Sequence, residues 1–503
     1  MSETAPIDPA RRLAITIAGM LGSMMVVIDS TIASVALPHM QATTAASSEQ
    51  VMWVLTSYMI ATAIATPLAG WLASRFGRKL VMLGSLTGFT VASMLCGSAN
   101  DLPTLVMARV LQGVSGAALH PLTQSVLLSI YPRGSHARIL AVQGMVSMIG
   151  PLFGPTLGGW LTDTISWRWV FFINLPMGLM AFAGIWAFLP ASQARTGMRF
   201  DAFGFSALAM AVAALQLFLD RGEHLDWFDS GEIVLWAVLV MLGAWLTVVH
   251  TLTVRGGFVR AELFRDWNFT VTCVIGTLLS IAAFGSQPLT TIMLQGLMGH
   301  TALYAGSLTA ISSLSSLLSV IFLSGPLSRV GVRFLLVFGL ALMGISQLMY
   351  AGVNLQSDAW PVLVAGLVKG AGVGLVFTVL PGITFSTLAP ELRDEGAAFS
   401  ALVRNMGMSI GISLTQIIAI RETAWTRARL VEGVRPDNPM IGYAMPGLDF
   451  DSPAGLARMS GEIARQATMV GYVNAYLIAG FMAFALIPTV FLVRVSKEPA
   501  TGR

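Results

Sequence analysis

The chain is a succession of long apolar runs, broken by short clusters of charge, glycine and proline. Polar residues end at Arg11 and Arg12, and from Leu13 to Leu37 the sequence is apolar apart from Asp29. That run exceeds the apolar core of a secretory signal, so it predicts a retained first helix. A bilayer span needs about 20 largely apolar residues. Cutting the chain wherever charge, Gly and Pro interrupt such runs predicts fourteen transmembrane helices. Their centres fall near Met25, Thr62, Phe89, Ala117, Met148, Ala181, Met210, Val240, Leu279, Ser313, Leu340, Gly374, Ser409 and Met482. With the N-terminus inside, Arg75, Arg78, Lys79, Arg133, Arg138, Arg260, Arg333, Arg393 and most other cations fall in cytoplasmic loops. Only Arg168 and Arg221 fall in short outer ones. An even span count returns the basic C-terminal tail to the same side, so both termini are expected to be cytoplasmic.

Composition fixes the class. With 55% hydrophobic and 11% charged residues, the chain lacks the polar surface of a soluble domain and is expected to be an all-α polytopic membrane protein. A net charge of +4, with no lysine or arginine stripe, argues against nucleic acid as a partner. The two cysteines, Cys96 and Cys273, lie in separate apolar runs, so neither a disulfide framework nor a metal site is expected. No HExxH, nucleophile elbow or phosphate-binding loop occurs, which argues against an enzyme, against ATP drive and against a bound cofactor.

A weak internal repeat accompanies the spans. The stretch GWLASRFGRK, Gly70 to Lys79, is echoed by GPLSRVGVR, Gly325 to Arg333, and Gly116 and Pro132 are echoed about 258 positions later by Gly374 and Pro390. Secondary transporters are commonly built from such repeats, with the substrate site where the halves meet. In the fifth run Gly150, Gly154 and Gly158 recur every four residues and line one helix face for close approach of a neighbour. Pro151 and Pro155 beside them are expected to bend or loosen that helix.

Five stretches are familiar together: IDSTIASVALP (Ile28 to Pro38), GWLASRFGRK, RVLQGVSGAA (Arg109 to Ala118), GPLFGPTLGGW (Gly150 to Trp160) and WRWVFFINLPMG (Trp167 to Gly178). The chain thereby resembles the major facilitator superfamily, and within it the fourteen-helix drug/proton antiporters of the EmrB and QacA type. The resemblance implies two six-helix bundles, about residues 1–200 and 257–503, with two additional helices between them over 201–256. It also implies a proton and a small amphipathic substrate as cargo. A periplasmic membrane-fusion adaptor and an outer-membrane channel are the implied partners. The glycine-rich stretch becomes the antiporter motif. The inner loop with Gly70, Arg75, Gly77 and Arg78 becomes a gating motif, in which an acid normally precedes the first arginine; here Ser74 stands in that place and cannot supply the charge. Those cations therefore read either as gate residues or as positive-inside charges alone.

Charges within hydrocarbon are the sharpest pointers, because each costs roughly 2.5–3.5 kcal/mol unless paired or hydrated. Asp29 is the acid placed deep in the first bundle. Arg109 lies on a face that a helical wheel shares with Gln112, Gly113, Gly116, His120 and Thr123. Asp29, Arg109 and His120 are candidates for proton coupling, with a static Asp29 to Arg109 ion pair as the competing reading. Lys369 and Arg404, the latter beside Asn405, are candidate substrate contacts together with Asp29, Gln112 and Gln143; otherwise they snorkel to water. An anionic metabolite such as a fatty acid or siderophore is the rival substrate. Finally, an outer segment from Arg421 to Gly471 carries a helical pattern of Leu456, Met459, Ile463 and Ala467 and is expected either to meet the adaptor or to cap the outer vestibule.

Overall fold

A computed structural model describes residues 8–46, 48–191, 200–222, 225–254, 256–300, 302–322, 331–434, 448–450 and 452–494, and all regular structure among them is helical. The first bundle comprises α1 (Pro9–Thr44), α2 (Ser48–Ala65), α3 (Leu68–Phe76), α4 (Arg78–Ser98), α5 (Leu102–Gly116), α6 (Leu119–Ile130), α7 (His136–Thr164), the single turn α8 (Trp169–Phe172) and α9 (Asn174–Phe188). Two further helices follow, α10 (Ala202–Arg221) and α11 (Gly231–Thr253). The second bundle comprises α12 (Glu262–Arg265), α13 (Trp267–Phe284), α14 (Gln287–Ile292), α15 (Ala302–Phe322), α16 (Val332–Ala351), α17 (Ala359–Thr384), α18 (Arg393–Glu432) and α19 (Pro453–Ala485).

Local chemistry sets these boundaries. Asp101, Asp201, Asp266 and Ser452 each precede a helix, and each side chain accepts the backbone N–H three residues on, at 2.9–3.0 Å. Such caps satisfy donors that the first helical turn leaves free. Pro67 separates α2 from α3, which bend by 52° into one broken span. Twelve helices among the described residues are long and apolar enough to cross a membrane, or thirteen with the bent pair counted as one. At 29 residues α7 adds a fourteenth of membrane length, several of its side chains lying outside the described set. Thirteen of the fourteen expected centres fall inside helices. Ala117 falls at the α5–α6 break within a single span, Leu102–Ile130.

Each bundle has its own apolar core. Met25, Leu86, Phe89, Leu122 and Ala181 anchor the first, and Leu279, Leu340, Met343, Val376 and Ala483 the second. Between them, α10 and α11 pack together, and α11 is largely exposed, presenting Leu235, Val238, Met241 and Trp245 as a lipid-facing helix would. His250 on α11 meets Asp201 at 2.6 Å, and the same carboxylate accepts the Phe258 N–H at 2.8 Å, which ties the pair to the following loop. On the other side Ser409 of α18 donates to Gln216 of α10 at 2.5 Å. Ser409, one turn beyond Asn405, is thus spent on the linker pair.

The echo of Pro132 by Pro390 is structural too: Arg133–Ser135 and Pro390–Leu392 each form a short 3-10 turn leading into α7 and α18. Residues 323–330, which hold most of the echoed inner loop, lie outside the described residues, as does the Pro-rich part of the outer segment, 435–447. The rest of that segment continues two spans. Both α18, at 40 residues, and α19, at 33, exceed a bilayer crossing, α18 reaching roughly 60 Å at 1.5 Å per residue. The extensions pair as a helical hairpin, with Asn474 donating to Glu422 at 2.7 Å. Met459 and Ala467 are buried there as the pattern predicted, whereas Leu456 is 53% exposed.

The glycines of α7 lie against α1. A Cβ built at Gly150 would stand 2.9 Å from the Val27 carbonyl oxygen, one at Gly154 3.0 Å from Thr31 Cβ, and one at Gly158 3.1 Å from the Ile32 oxygen. Thr31 Oγ1 also donates to the Gly150 carbonyl at 3.1 Å. Replacing Gly154 with Leu forces two backbones apart, and overpacking costs about 1–3 kcal/mol. The variant is expected to insert but to melt several degrees lower; an unchanged melting curve would show that α1 and α7 do not depend on contact there.

Candidate transport site

Asp29, Arg109, Gln112 and Asn174 are all completely buried in the first bundle. Arg109 Nη1 donates to Asp29 Oδ2 at 2.6 Å, while Gln112 Nε2 and Asn174 Nδ2 each donate to Oδ1 at 2.7 Å. One carboxylate therefore receives a guanidinium and two amides. Arg109 also donates from Nη1 to Gln112 Oε1 at 2.7 Å and from Nε to the Val54 carbonyl at 2.9 Å. Its Cζ lies 4.1 Å from the Tyr58 ring centroid and 5.7 Å from that of Phe171, where π faces stabilise a desolvated cation. Asn174 continues to Ser93 Oγ at 2.9 Å, and Ser93 donates to the Phe171 carbonyl at 2.8 Å. Arg109 Nη2, Asn174 Oδ1 and the Tyr58 hydroxyl have no partner among the described residues.

Sequence reasoning paired Asp29 with Arg109 and placed Gln112 on the same face, and the structure joins all three. It missed Asn174 and Ser93, although Asn174 is an isolated polar residue within a familiar stretch. His120 stays outside the network, eleven residues and about 16 Å along the same span from Arg109. Its backbone carbonyl accepts Gln143 Nε2 at 3.4 Å, and Arg404 of the other bundle lies within electrostatic reach of it. Arg404 and Asn405 are half-buried on α18 and make no ion pair among the described residues. Lys369, in the middle of α17, is buried and donates to Ser286 Oγ at 3.2 Å.

A second set of charges joins the halves at the end carrying α3. Arg78 donates from Nε and Nη2 to Asp394 at 2.9 and 3.0 Å, and Ser125 also donates to that carboxylate. Within the second half Arg260 meets Glu395 at 3.4 Å, and Arg393 donates across to the Leu128 carbonyl at 3.2 Å. The acid missing at Ser74 is therefore matched by acids in the first turn of α18, where a helix N-terminus favours negative charge. Gly70 lets this contact form, since a Cβ there would lie 3.0 Å from Glu395 Cα. Gly77, at φ +86°, makes the turn that brings Arg78 onto the next helix. Arg75 lies in the last turn of α3, half-buried. Pro151 and Pro155 sit within α7, their side chains outside the described set.

Two helical bundles, a linker pair and a carboxylate buried within one bundle define a polytopic membrane transporter, and the chain belongs to the Major Facilitator Superfamily, whose family model matches residues 19–412. The multidrug export protein EmrB of Escherichia coli (strain K12) is 33% identical over 99% of this chain and 98% of that protein. The fatty acid resistance protein FarB of Neisseria gonorrhoeae is 29% identical over 97% of each chain. Among solved structures, the human organic anion transporter MFSD10 (TETRAN) matches with a TM-score of 0.61 at 12% identity, covering 95% of this chain and all of that one. The proton:xylose symporter XylE matches at 0.58 and 14% identity, covering 95% and 96%. At such identities these likenesses establish the fold alone.

Removing one member of a buried ion pair leaves the other uncompensated, at a cost of about 3–5 kcal/mol. Arg109→Met is therefore expected to lower the melting temperature sharply, and adding Asp29→Leu to that chain should recover part of the loss. Additive losses in thermal unfolding of Arg109→Met, Asp29→Leu alone and the double variant would show that the two charges do not depend on each other.

Proposed function

We propose that this protein is a proton-coupled antiporter that exports amphipathic drugs or other toxic hydrophobic compounds across the inner membrane. The family and the whole-length similarity to EmrB support export, and the observation that carries the coupling is the fully buried Asp29 carboxylate with its three donors. Protonating Asp29 cancels the charge that compensates Arg109 and leaves a guanidinium alone in a dry bundle. That state is costly, so proton binding favours a rearrangement that hydrates or re-pairs Arg109. Release of the proton on the other side restores the network. A ligand shifts a conformational equilibrium only through its different affinity for the two states, and a proton on Asp29 has that difference built in.

On this reading residues 1–200 and 257–503 form the two moving bundles, and 201–256 the linker helices. Gln143, Arg404 and Asn405 line the substrate path near where the bundles meet, with His120 beside them. The Arg78 to Asp394 pair closes the cytoplasmic side. Both termini are cytoplasmic, and the hairpin of α18 and α19 stands in the periplasm. Its exposed Trp425, Val431 and Leu456 are the proposed contact for a membrane-fusion adaptor leading to an outer-membrane channel. Transport, rather than catalysis, is the proposed activity.

Asp29→Asn keeps shape and hydrogen bonding but removes titration. Inverted vesicles carrying it are expected to lose proton-driven dye uptake while still binding substrate; a folded variant that still answers an imposed pH difference would move the coupling role elsewhere. For orientation, a cysteine at Ser452 should react with impermeant thiol reagent from outside and one at Ser135 should not. Reversed labelling would place the hairpin in the cytoplasm.

A further inference from the structure

The second bundle contains an altered copy of the first bundle's buried pair. Lys369 follows Arg109 by 260 positions and Ser286 follows Asp29 by 257, both close to the repeat offset marked by Gly116 and Gly374. The contacts correspond as well. Arg109 on α5 reaches Asp29 on α1, and Lys369 on α17 reaches Ser286, which lies between α13 and α14. A side-chain amide completes each group: Gln112 and Asn174 on the carboxylate, and Gln347 of α16, which donates to Ser286 Oγ at 2.8 Å.

What differs is charge. The first site holds its own anion, whereas the second has serine in that place, and Lys369 makes no ion pair with any described residue. Ser286 is completely buried and Gln347 is 1% exposed, yet Gln347 Oε1 has no partner. The two ends of an amide are interchangeable by rotation. Turning Gln347 over lets Ser286 donate to its oxygen and frees the NH2 beside the Lys369 ammonium. Either way the group has more donors than acceptors. Lys369 keeps 9% of its surface accessible and Arg109 none, so both cations are buried, but only Arg109 has a counter-charge among the described residues. Apolar side chains border it on both sides along α17, including Ala365 with Tyr350 and Tyr476, and Val373 with Met343.

We propose that Lys369, with Ser286 and Gln347, is an anion-accepting subsite that takes the carboxylate of amphipathic organic acids. A bound carboxylate supplies the charge that Asp29 supplies in the first bundle, and the acid's apolar part lies among the aliphatic and tyrosine side chains around it. The inference deepens the export reading by naming a substrate class, and its test needs no proton gradient.

Purified protein in nanodiscs is titrated with dodecanoate and, separately, with dodecyltrimethylammonium, following tryptophan fluorescence. Lys369→Gln removes the cation, and Ser286→Asp gives it an internal partner and so reproduces the first site. Each is expected to weaken dodecanoate binding roughly tenfold or more, with the cationic detergent bound as before. Dodecanoate bound equally by wild type and by either folded variant overturns the proposal, as does an equal loss for both ligands. Because Ser286→Asp adds a compensating charge, it keeps the test decisive if Lys369→Gln does not fold. Failure here leaves proton-driven export through Asp29 intact, and failure of the Asp29→Asn transport test leaves this binding result intact.

Discussion

A carboxylate moved from water into a dry protein interior carries an idealised cost of order 20 kcal/mol, several of which remain after relaxation. Asp29 is fully buried all the same, and the first bundle is arranged so that this is tolerable. α5 contributes the guanidinium and an amide, and α9 a second amide. α2 contributes the Val54 carbonyl and the Tyr58 face, which keep the guanidinium in place. α4 contributes Ser93, which orients Asn174. α7 reaches none of these polar groups, but its glycines let its backbone lie on Val27 to Ile32, the turns that carry Asp29. Each span of the bundle thus has a relation to one ionisable atom pair, and the pair cannot be altered without repacking across the bundle.

The halves meet through a different kind of contact. Arg78 and Asp394, one from each half, are partly exposed, at 24% and 16% of the side chain. A partly exposed pair of this kind exchanges its partner for water at less cost than a fully buried one. In the proposed transport cycle that suits an interface that opens, just as full burial suits a pair that responds to a single proton. The structure therefore separates its charges by depth: a partly exposed pair joins the bundles, beside apolar contacts such as those of Leu128 and Leu140 with Phe269 and Leu388, and a dry pair organises one of them.

Much of this was legible from residues alone. Run lengths placed the spans, because a bilayer imposes a length that few other constraints imitate, and the rarity of charge within those runs exposed Asp29, Arg109 and Lys369. The four-residue glycine spacing announced a close helix contact, but the neighbour could be identified only in three dimensions. Partners from distant helices were the blind spot. Nothing local distinguishes Asn174, Ser286 or Gln347 from other scattered polar residues, and Asp394 looks like an ordinary first-turn acid until Arg78 is found against it. His120 shows the opposite failure. A helical wheel gives direction but not depth, and eleven residues at roughly 1.5 Å each put His120 about 16 Å along the axis from Arg109.

α18 begins at the carboxylates that bind Arg78 and Arg260 and runs without interruption to Glu432 in the hairpin beyond the membrane. A rod of roughly 60 Å with a pivot near its middle behaves as a lever, in which a tilt of about 10° carries each end some 5 Å in opposite directions. Such a displacement is larger than the reach of the Asp394 contact. Anything that grips the hairpin holds the far end of the same lever, so load applied outside the bilayer is felt as tension on the ion pairs at the opposite face.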